Sequence, residues 1–154
     1  MNLKHIIISA SVLAVGILSV NAIKKGEPKD TLDKRKFTVI MTEVKEGTPP
    51  KKGVPDELEF KGGKFFSDFL YEKNQQSWTK YEILKDSTYT DEEQNENTYT
   101  EAEISKTDDS DQTIIIKCVV DNYDISGEIK ITKKDKLKKK FEFTGKEKPG
   151  KKKK

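Results

Sequence analysis

Alternation of apolar and polar residues is the feature that most constrains how this chain can fold. Between Phe37 and Thr144, stretches rich in β-branched and aromatic residues alternate with a period of two and are bounded by Gly, Pro, Asn and Asp. After the first 22 residues, no stretch keeps the apolar spacing of an amphipathic helix over three turns. The pattern predicts an all-β chain with candidate strands at residues 36–45, 56–60, 64–71, 78–84, 97–105, 113–121, 124–132 and 139–145.

The joints between these strands predict hairpins. Lys61-Gly62-Gly63 and Asp121-Asn122-Tyr123 each separate two strands and contain residues that tolerate positive φ. Most strands have one apolar and one polar face, as where Ile125, Ile129 and Ile131 alternate with polar residues, but the facing of residues 65–70 and 78–84 is ambiguous. Eight such strands bury their apolar faces most simply by closing into one antiparallel up-and-down barrel, which we place at residues 36–146.

Three stretches resemble the lipocalin-like, calycin-type barrels that occur as small secreted bacterial domains. They run from Leu58 to Phe65, from Ile125 to Ile129 and from Phe141 to Gly145. The resemblance implies an eight-stranded barrel. Many domains of this kind have no assigned activity, so it implies a fold without a particular function.

The first 22 residues are typical of a secretory signal peptide. Lys4 and His5 precede an apolar run from Ile6 to Val20, and the segment ends on small residues at Ala22. The run is shorter than the roughly 18 residues that a membrane span needs. We therefore predict cleavage after Ala22 and a secreted or periplasmic product with no membrane span. In that product a flexible linker at residues 23–35 would precede the barrel, and a disordered Lys-rich tail at residues 147–154 would follow it.

Removal of the signal peptide would exclude much of the side-chain chemistry that enzymes commonly use. The only histidine, His5, lies in the predicted signal peptide, so the mature chain has no imidazole for acid–base or metal chemistry. The only cysteine, Cys118, does not follow Ala22, which argues against a lipoprotein. Cys118 lies in the apolar run from Ile114 to Val120, and alternation predicts that it faces inward and is unreactive. We expect no enzyme activity, no cofactor and no catalytic or metal-binding residues.

The charged motifs are better explained as solvated surface. Glu57 with Glu59, and Glu101 with Glu103, are spaced as paired carboxylates could be, but alternation turns Glu101 and Glu103 to water. The stretch 108–111 lacks the Gly and distal Glu of a calcium loop and predicts an acidic turn. No aromatic residue interleaves with Lys151 to Lys154, so we predict no nucleic-acid partner.

Aromatic residues inside the barrel are the remaining indication of function. A barrel of eight strands either is filled by its own side chains or holds one small ligand. The loop 46–55, with three prolines, would share an end with residues 71–77, and we place any mouth there. We expect a monomer that binds a small apolar molecule non-covalently; the alternative is a protein-interaction or structural module of the cell envelope with a filled barrel. The predicted ligand-lining residues are Phe60, Phe66, Phe69, Trp78, Tyr81, Phe141 and Phe143.

Overall fold

The structure is a computed structural model that describes residues 30–150. The predicted signal peptide, residues 23–29 of the predicted linker and Lys151 to Lys154 lie outside the described residues. Eight antiparallel strands in up-and-down order close a barrel, as the alternation predicted. They are β1 (Lys36–Val44), β2 (Val54–Lys61), β3 (Lys64–Ser67), β4 (Thr79–Thr90), β5 (Glu96–Thr107), β6 (Gln112–Asp121), β7 (Asp124–Lys133) and β8 (Lys136–Glu147), with one helix, α1 (Asp68–Asn74), between β3 and β4.

Tight turns lie at both predicted hairpins and also between β7 and β8, at Lys134 and Asp135. Gly62 and Gly63 join β2 to β3 with φ of 58° and 72°, and Asn122 joins β6 to β7 with φ of 55°. Positive φ at these positions matches the right-handed twist of the strands that they connect. Both predicted hairpins are therefore present.

Closure of the barrel depends on a close approach between β1 and β8. The two strands are in register from Phe37 opposite Glu147 to Val44 opposite Lys140. Gly145 lies opposite Val39, and a Cβ atom there would overlap the backbone carbonyl oxygen of Thr38. Only glycine lets the two backbones come this close.

The join between β3 and β4 is much shorter. Its register consists of Lys64 opposite Lys80 and Phe65 opposite Thr79, supplemented by a hydrogen bond from the Tyr81 amide to the Gly63 carbonyl of 3.3 Å. Beyond Tyr81, β4 pairs only with β5. We call this short join the β3–β4 seam.

Two predicted strand boundaries need correction at this seam. The predicted strand 64–71 ends at Ser67, because the Ser67 hydroxyl caps α1 by accepting the Leu70 amide at 3.1 Å. The predicted strand 78–84 continues to Thr90, where it pairs with Glu96. Residues Asp86 to Thr90 are exposed and mostly polar, so no apolar alternation marks them.

The core follows the predicted facing of the strands. Cys118 is buried together with Ile114, Ile116 and Val120, while Glu101 and Glu103 lie on the opposite, outer faces. The other buried apolar residues are Leu32, Phe37, Val39, Met41, Leu58, Phe60, Phe65, Leu70, Ala102, Ile104, Ile125, Ile129, Ile131, Phe141 and Phe143.

One end of the barrel is closed by residues that the sequence analysis placed in a flexible linker. Leu32 is 0% exposed and belongs to the core, and Arg35 forms an ion pair of 2.6 Å with Glu147. Residues 30–35 are thus packed against the barrel instead of forming a flexible linker, and Glu147, the first residue of the predicted disordered tail, is the last residue of β8. We call the end of the barrel that these residues cover the closed end. The opposite end of the barrel, which carries α1 and the loop between β1 and β2, is the helix end.

No helix within residues 30–150 is long and apolar enough to cross a membrane.

Candidate ligand-binding site

The seven predicted lining residues do not surround one cavity. Phe60, Phe141 and Phe143 are buried inside the barrel. Phe69 contacts Phe141 at the helix end, with ring centroids 5.2 Å apart, whereas the half-buried Tyr81 donates a hydrogen bond of 2.5 Å to Asp30 at the closed end. The interior is therefore divided between its two ends.

Phe66 and Trp78 lie on the outer face of the barrel, which corrects their predicted inward position. Phe65 is buried opposite Phe60, so the next residue along β3 must face outward. Phe66 stacks there on Trp78, with ring centroids 5.2 Å apart. Two adjacent phenylalanines made the facing of this strand ambiguous in the sequence.

Aromatic side chains fill the part of the barrel next to the closed end. Phe60 packs edge-on against three rings, with centroid distances of 6.0 Å to Phe37, 5.3 Å to Phe65 and 5.3 Å to Tyr81. Edge-to-face contacts of this kind are favourable beyond the burial of the rings. This half of the interior is occupied by the protein itself.

A cavity of about 200 Å³ opens at the helix end. Its floor is apolar, formed by Met41, Ile131, Phe141 and the half-buried Phe69. Its rim is formed by the loop between β1 and β2, by α1 and by β8, and it lies where the sequence analysis placed a mouth. The remaining lining residues are Glu43, Lys51, Lys52, Val54, Lys73, Asn74 and Lys139.

The rim is strongly cationic. Glu43 is its only carboxylate, and ion pairs of 3.2 Å to Lys51 and 3.7 Å to Lys45 engage it. The hydrogen bond from Lys51 lowers the pKa of Glu43, aided by the charge of the neighbouring lysines. Among the described residues, no carboxylate lies within ion-pair distance of Lys52, Lys73 or Lys139, so the rim keeps a net positive charge.

A buried carboxylate, Asp56, positions the helix that carries Phe69. Its oxygens accept hydrogen bonds from the Ser67 hydroxyl at 2.7 Å, the Phe69 amide at 2.9 Å and the Glu57 amide at 2.8 Å. Burial nevertheless raises the pKa of Asp56 above its ordinary value. Because Asp56 binds both Ser67 and Phe69, it fixes the transition from β3 to α1 and thereby the wall of the cavity.

Sequence reasoning missed several parts of this site. Met41 and Ile131 lie in strands whose facing could be predicted, but nothing in the sequence indicated that they border an opening. The lysine rim comes from three separate elements, which only the closed ring brings together. A spacing motif could have found neither group.

A second, more polar cavity lies on the other side of Asn74. It measures about 230 Å³ and is lined partly by Gln76, Lys106 and Gln112. Within the described part of the chain, the Gln76 Oε1 atom is the one buried side-chain polar atom without a hydrogen-bond partner. A buried acceptor of this kind is normally satisfied by a bound water or a ligand donor.

The predicted acidic turn is present and satisfies its own hydrogen bonds. The Asp108 carboxylate accepts the Ser110 hydroxyl at 2.7 Å, the Ser110 amide at 2.8 Å and the Gln112 amide at 3.0 Å. These bonds, the one from the Ser110 hydroxyl above all, lower the pKa of Asp108. In residues 30–150 no group of three or more His, Cys, Asp or Glu side chains is arranged to hold a metal ion.

Comparisons with protein-family models, with curated proteins and with solved structures found no match to this chain. The chemistry of the cavity therefore has to be inferred from its own residues.

Proposed function

We propose that this chain is a non-catalytic binding protein that takes one small ligand, with an apolar body and an anionic group, into the cavity at the helix end. The observation that carries the proposal is an apolar floor directly beneath a rim of lysines. The floor favours an apolar body through the hydrophobic effect. The rim favours a carboxylate or a similar anion, because hydrogen bonds between charged groups are stronger than neutral ones.

The size of the cavity limits the ligand. Pockets for drug-sized molecules measure roughly 300 to 1,000 Å³, and this one measures about 200 Å³. The filled half of the barrel offers no further depth, since Phe37, Phe60 and Phe65 meet there. A short acyl chain or a single ring fits these limits better than a long lipid or a porphyrin.

The lining residues support binding rather than catalysis. They include no Ser, Thr, Cys or His that could act as a nucleophile or be activated by a neighbouring base. Glu43, the one acidic residue, is occupied by Lys45 and Lys51.

We further propose that the protein acts outside the cytoplasm as a member of the lipocalin-like secreted barrels. The apolar run from Ile6 to Val20 and the small residues before Ile23 support export, and the eight-stranded up-and-down ring supports the family. Finding Ile23 as the N-terminus of the protein in the periplasm or the medium is the expected result. Intact residues 1–22 in the membrane fraction would contradict it.

The binding proposal is tested by titrating the protein with octanoate and with octan-1-ol, which carry the same chain with and without a charge. Calorimetry should show octanoate binding roughly tenfold or more tightly, the factor that corresponds to one favourable charged contact of about 1.4 kcal/mol. Lys73→Gln with Lys139→Gln should abolish the preference for octanoate. The control is Lys64→Gln with Lys80→Gln on the outer face, which should leave both affinities unchanged.

Two outcomes would count against the proposal. If neither compound binds at millimolar concentration, and native mass spectrometry of protein from its own host finds no retained small molecule, the cavity is not a binding site. If octan-1-ol binds as well as octanoate, the lysine rim plays no part in recognition.

The filled half of the barrel favours a second candidate function, a protein-interaction or structural module of the cell envelope. Packing of Phe60 against three rings makes the closed end a solid scaffold. This function would act through the outer surface and would leave the cavity at the helix end empty in protein isolated from its host.

A further inference from the structure

Three aromatic side chains gather on the outside of the β3–β4 seam. Phe66 lies between Trp78, whose ring is stacked at 5.2 Å, and Tyr71, whose ring is tilted at 5.7 Å. Trp78 is 38% exposed and Tyr71 54%. We call Phe66, Tyr71 and Trp78 the aromatic patch. A cluster of exposed aromatic residues on a small protein commonly marks an interaction site.

A row of three lysines borders the aromatic patch. Lys61 lies directly opposite Lys64 across β2 and β3, and Lys64 lies directly opposite Lys80 across the seam. Lys64 and Lys80 each stand two residues from a patch aromatic on the same outer face, Phe66 and Trp78 respectively, a separation of roughly 6.6 Å. All three lysines are exposed. We call Lys61, Lys64 and Lys80 the lysine row.

The lysine row has no ion-pair partner among the described residues. Like charges directly opposite each other on neighbouring strands destabilise a sheet. Some lysines elsewhere on the outer face do have acidic partners, as Lys117 has in Glu103 at 3.4 Å and Lys130 has in Glu128 at 2.7 Å. In residues 30–150 no carboxylate lies within ion-pair distance of the lysine row, and the neighbouring Glu59 is engaged by Lys36 at 2.9 Å. The row therefore offers three free positive charges to an anionic partner.

We propose that the aromatic patch and the lysine row together form a docking surface for the anionic lipid surface of a membrane. Trp and Tyr side chains settle at the boundary between headgroups and acyl chains, because one part of each ring system is apolar and another is polar. Lysines near an anionic leaflet add electrostatic attraction. The combination matches the chemistry of a bilayer surface and is independent of any ligand in the cavity at the helix end.

The shape of the surface favours a bilayer over a smaller partner. Four cavities formed by the described residues are lined by residues other than Phe66, Tyr71 and Trp78. Soluble ligands of moderate size are held in concave sites. Aromatic side chains exposed on the wall of a barrel can instead insert into the broad, soft surface of a bilayer.

The other lysine-rich surface, the hairpin between β7 and β8, is a weaker candidate. It carries Lys136 and Lys138 beside Leu137, which is 58% exposed, but no aromatic residue. It also adjoins the acidic turn, because the Lys134 amide donates a hydrogen bond of 3.1 Å to the Asp111 carbonyl. Since β7 and β8 lie across the ring from β3 and β4, the two surfaces cannot face one membrane together.

Trp78 makes the proposal directly testable, because it is the only tryptophan in the chain. Protein in the form that the cell accumulates, with its N-terminus mapped, is mixed with vesicles of phosphatidylglycerol and phosphatidylcholine in equal parts and, separately, of phosphatidylcholine alone. Mapping is needed because an intact apolar run from Ile6 to Val20 would itself enter bilayers. The emission of Trp78 should shift to shorter wavelength with the anionic vesicles, and the shift should decrease as salt is added.

Matched variants locate the surface. Lys64→Gln with Lys80→Gln should weaken binding to the anionic vesicles by roughly 25-fold, about fivefold for each lysine. Tyr71→Ser, at an exposed position of α1, should weaken it further without changing the circular dichroism of the fold. Lys136→Gln with Lys138→Gln serves as the control with the same change of charge on the opposite wall, and it should bind as the wild type does.

The proposal is overturned if Trp78 emission is unchanged by anionic vesicles, or if the control pair loses as much binding as the seam pair. It is also overturned if a soluble single-stranded oligonucleotide or an acidic polysaccharide shifts Trp78 emission at lower concentration than the vesicles do. That result would assign the surface to a soluble polyanion.

Discussion

The two sides of this barrel are built differently. From β5 through β8, long neighbouring strands pair along almost their whole length, as in the unbroken register from Gln112 opposite Lys133 to Asp121 opposite Asp124. On the other side β3 ends at Ser67, and its register with β4 consists of Lys64 opposite Lys80 and Phe65 opposite Thr79. We call these the continuous wall and the interrupted wall.

The difference shows where this fold can accommodate binding surfaces. The continuous wall combines backbone pairing with an inner face of packed Ile, Val and Cys side chains, so it has little freedom to vary. The interrupted wall replaces missing strand pairs with α1, which Asp56 and Ser67 hold in place. Phe69 of the cavity and the whole aromatic patch lie on or beside this helix. The proposed docking surface thus lies where the sheet is least continuous, whereas the proposed cavity also takes Ile131, Lys139 and Phe141 from the continuous wall.

Substitution of Gly145 should give the largest effect. In Gly145→Ala the new Cβ would overlap the carbonyl oxygen of Thr38 and force β8 away from β1, at a cost of about 3 kcal/mol or more in the free energy of unfolding. Urea denaturation measures this cost. The control is Gly62→Ala in the turn before β3, which meets no atom within 4 Å and should cost about 1 kcal/mol through its φ of 58°. Equal losses would show that ring closure does not depend on this close approach.

Asp56→Ala should have the next largest effect and should act on the interrupted wall. It leaves the Phe69 amide and the Ser67 hydroxyl without their acceptor, at a cost of about 2 to 3 kcal/mol. Native-state hydrogen exchange should show faster exchange of the α1 amides, while the amides of β6 and β7 keep the same relative exchange rates as in the wild type. Uniform acceleration through the whole barrel would contradict the distinction between the two walls.

Cys118 tests the packing of the continuous wall. Burial raises the pKa of its thiol to about 12, so a thiol reagent should modify the native protein far more slowly than the unfolded chain. Cys118→Ser should cost about 1 to 2 kcal/mol by placing a hydroxyl in an apolar interior, whereas Cys118→Ala should be milder. Rapid labelling of the native protein would mean that this wall opens readily.

The pH dependence of stability gives a smaller and more specific signal at Asp56. Because burial raises its pKa, the folded protein holds this proton more tightly than the unfolded chain does. Acidification from above the raised pKa down to the ordinary aspartate value of about 3.9 should therefore stabilise the wild type relative to Asp56→Asn. Denaturation curves of both proteins across this range provide the measurement. Parallel profiles would place the pKa of Asp56 at its ordinary value.

The smallest effect is expected for the outer charges of the continuous wall. Lys117 and Glu103 form an ion pair of 3.4 Å, but both side chains are substantially exposed. Lys117→Gln should change the free energy of unfolding by less than about 0.5 kcal/mol, since water and salt screen such pairs. A loss above 1 kcal/mol would mean that the outer face contributes more than the packed interior suggests.

The two walls also differ in how well the sequence predicted them. On the continuous wall, alternation alone predicted which side chains face inward, because each strand has one solvent-facing and one buried face. Cys118, Ile129 and Phe143 are inward as expected. On the interrupted wall, α1 is too short to show a helical period, and only the cap at Ser67 followed by Asp68 could have indicated it. The adjacent Phe65 and Phe66 then left the facing of β3 undecided, which placed Phe66 and Trp78 inside the barrel.

The other features that the sequence did not predict share a physical origin. Leu32 stands alone among polar residues, so no periodic pattern marks it, yet the closed ring provides it with a fully buried site. The lysine rim and the lysine row likewise come from separate strands and loops that only the register brings together. Local patterns predict what a strand does on its own, whereas these groups depend on where the ring closes.

The pairing of β1 with β8 also determines when folding can finish. Each preceding join links neighbours in sequence, but Phe37 pairs with Glu147, the widest separation in the sheet. Closing so long a loop costs more chain entropy than forming any of the hairpins, so we expect this contact to form late. Without β8 the sheet would be open and have two unpaired edges, which are sites for association with other chains. The final strand therefore determines how long each new molecule is exposed to aggregation.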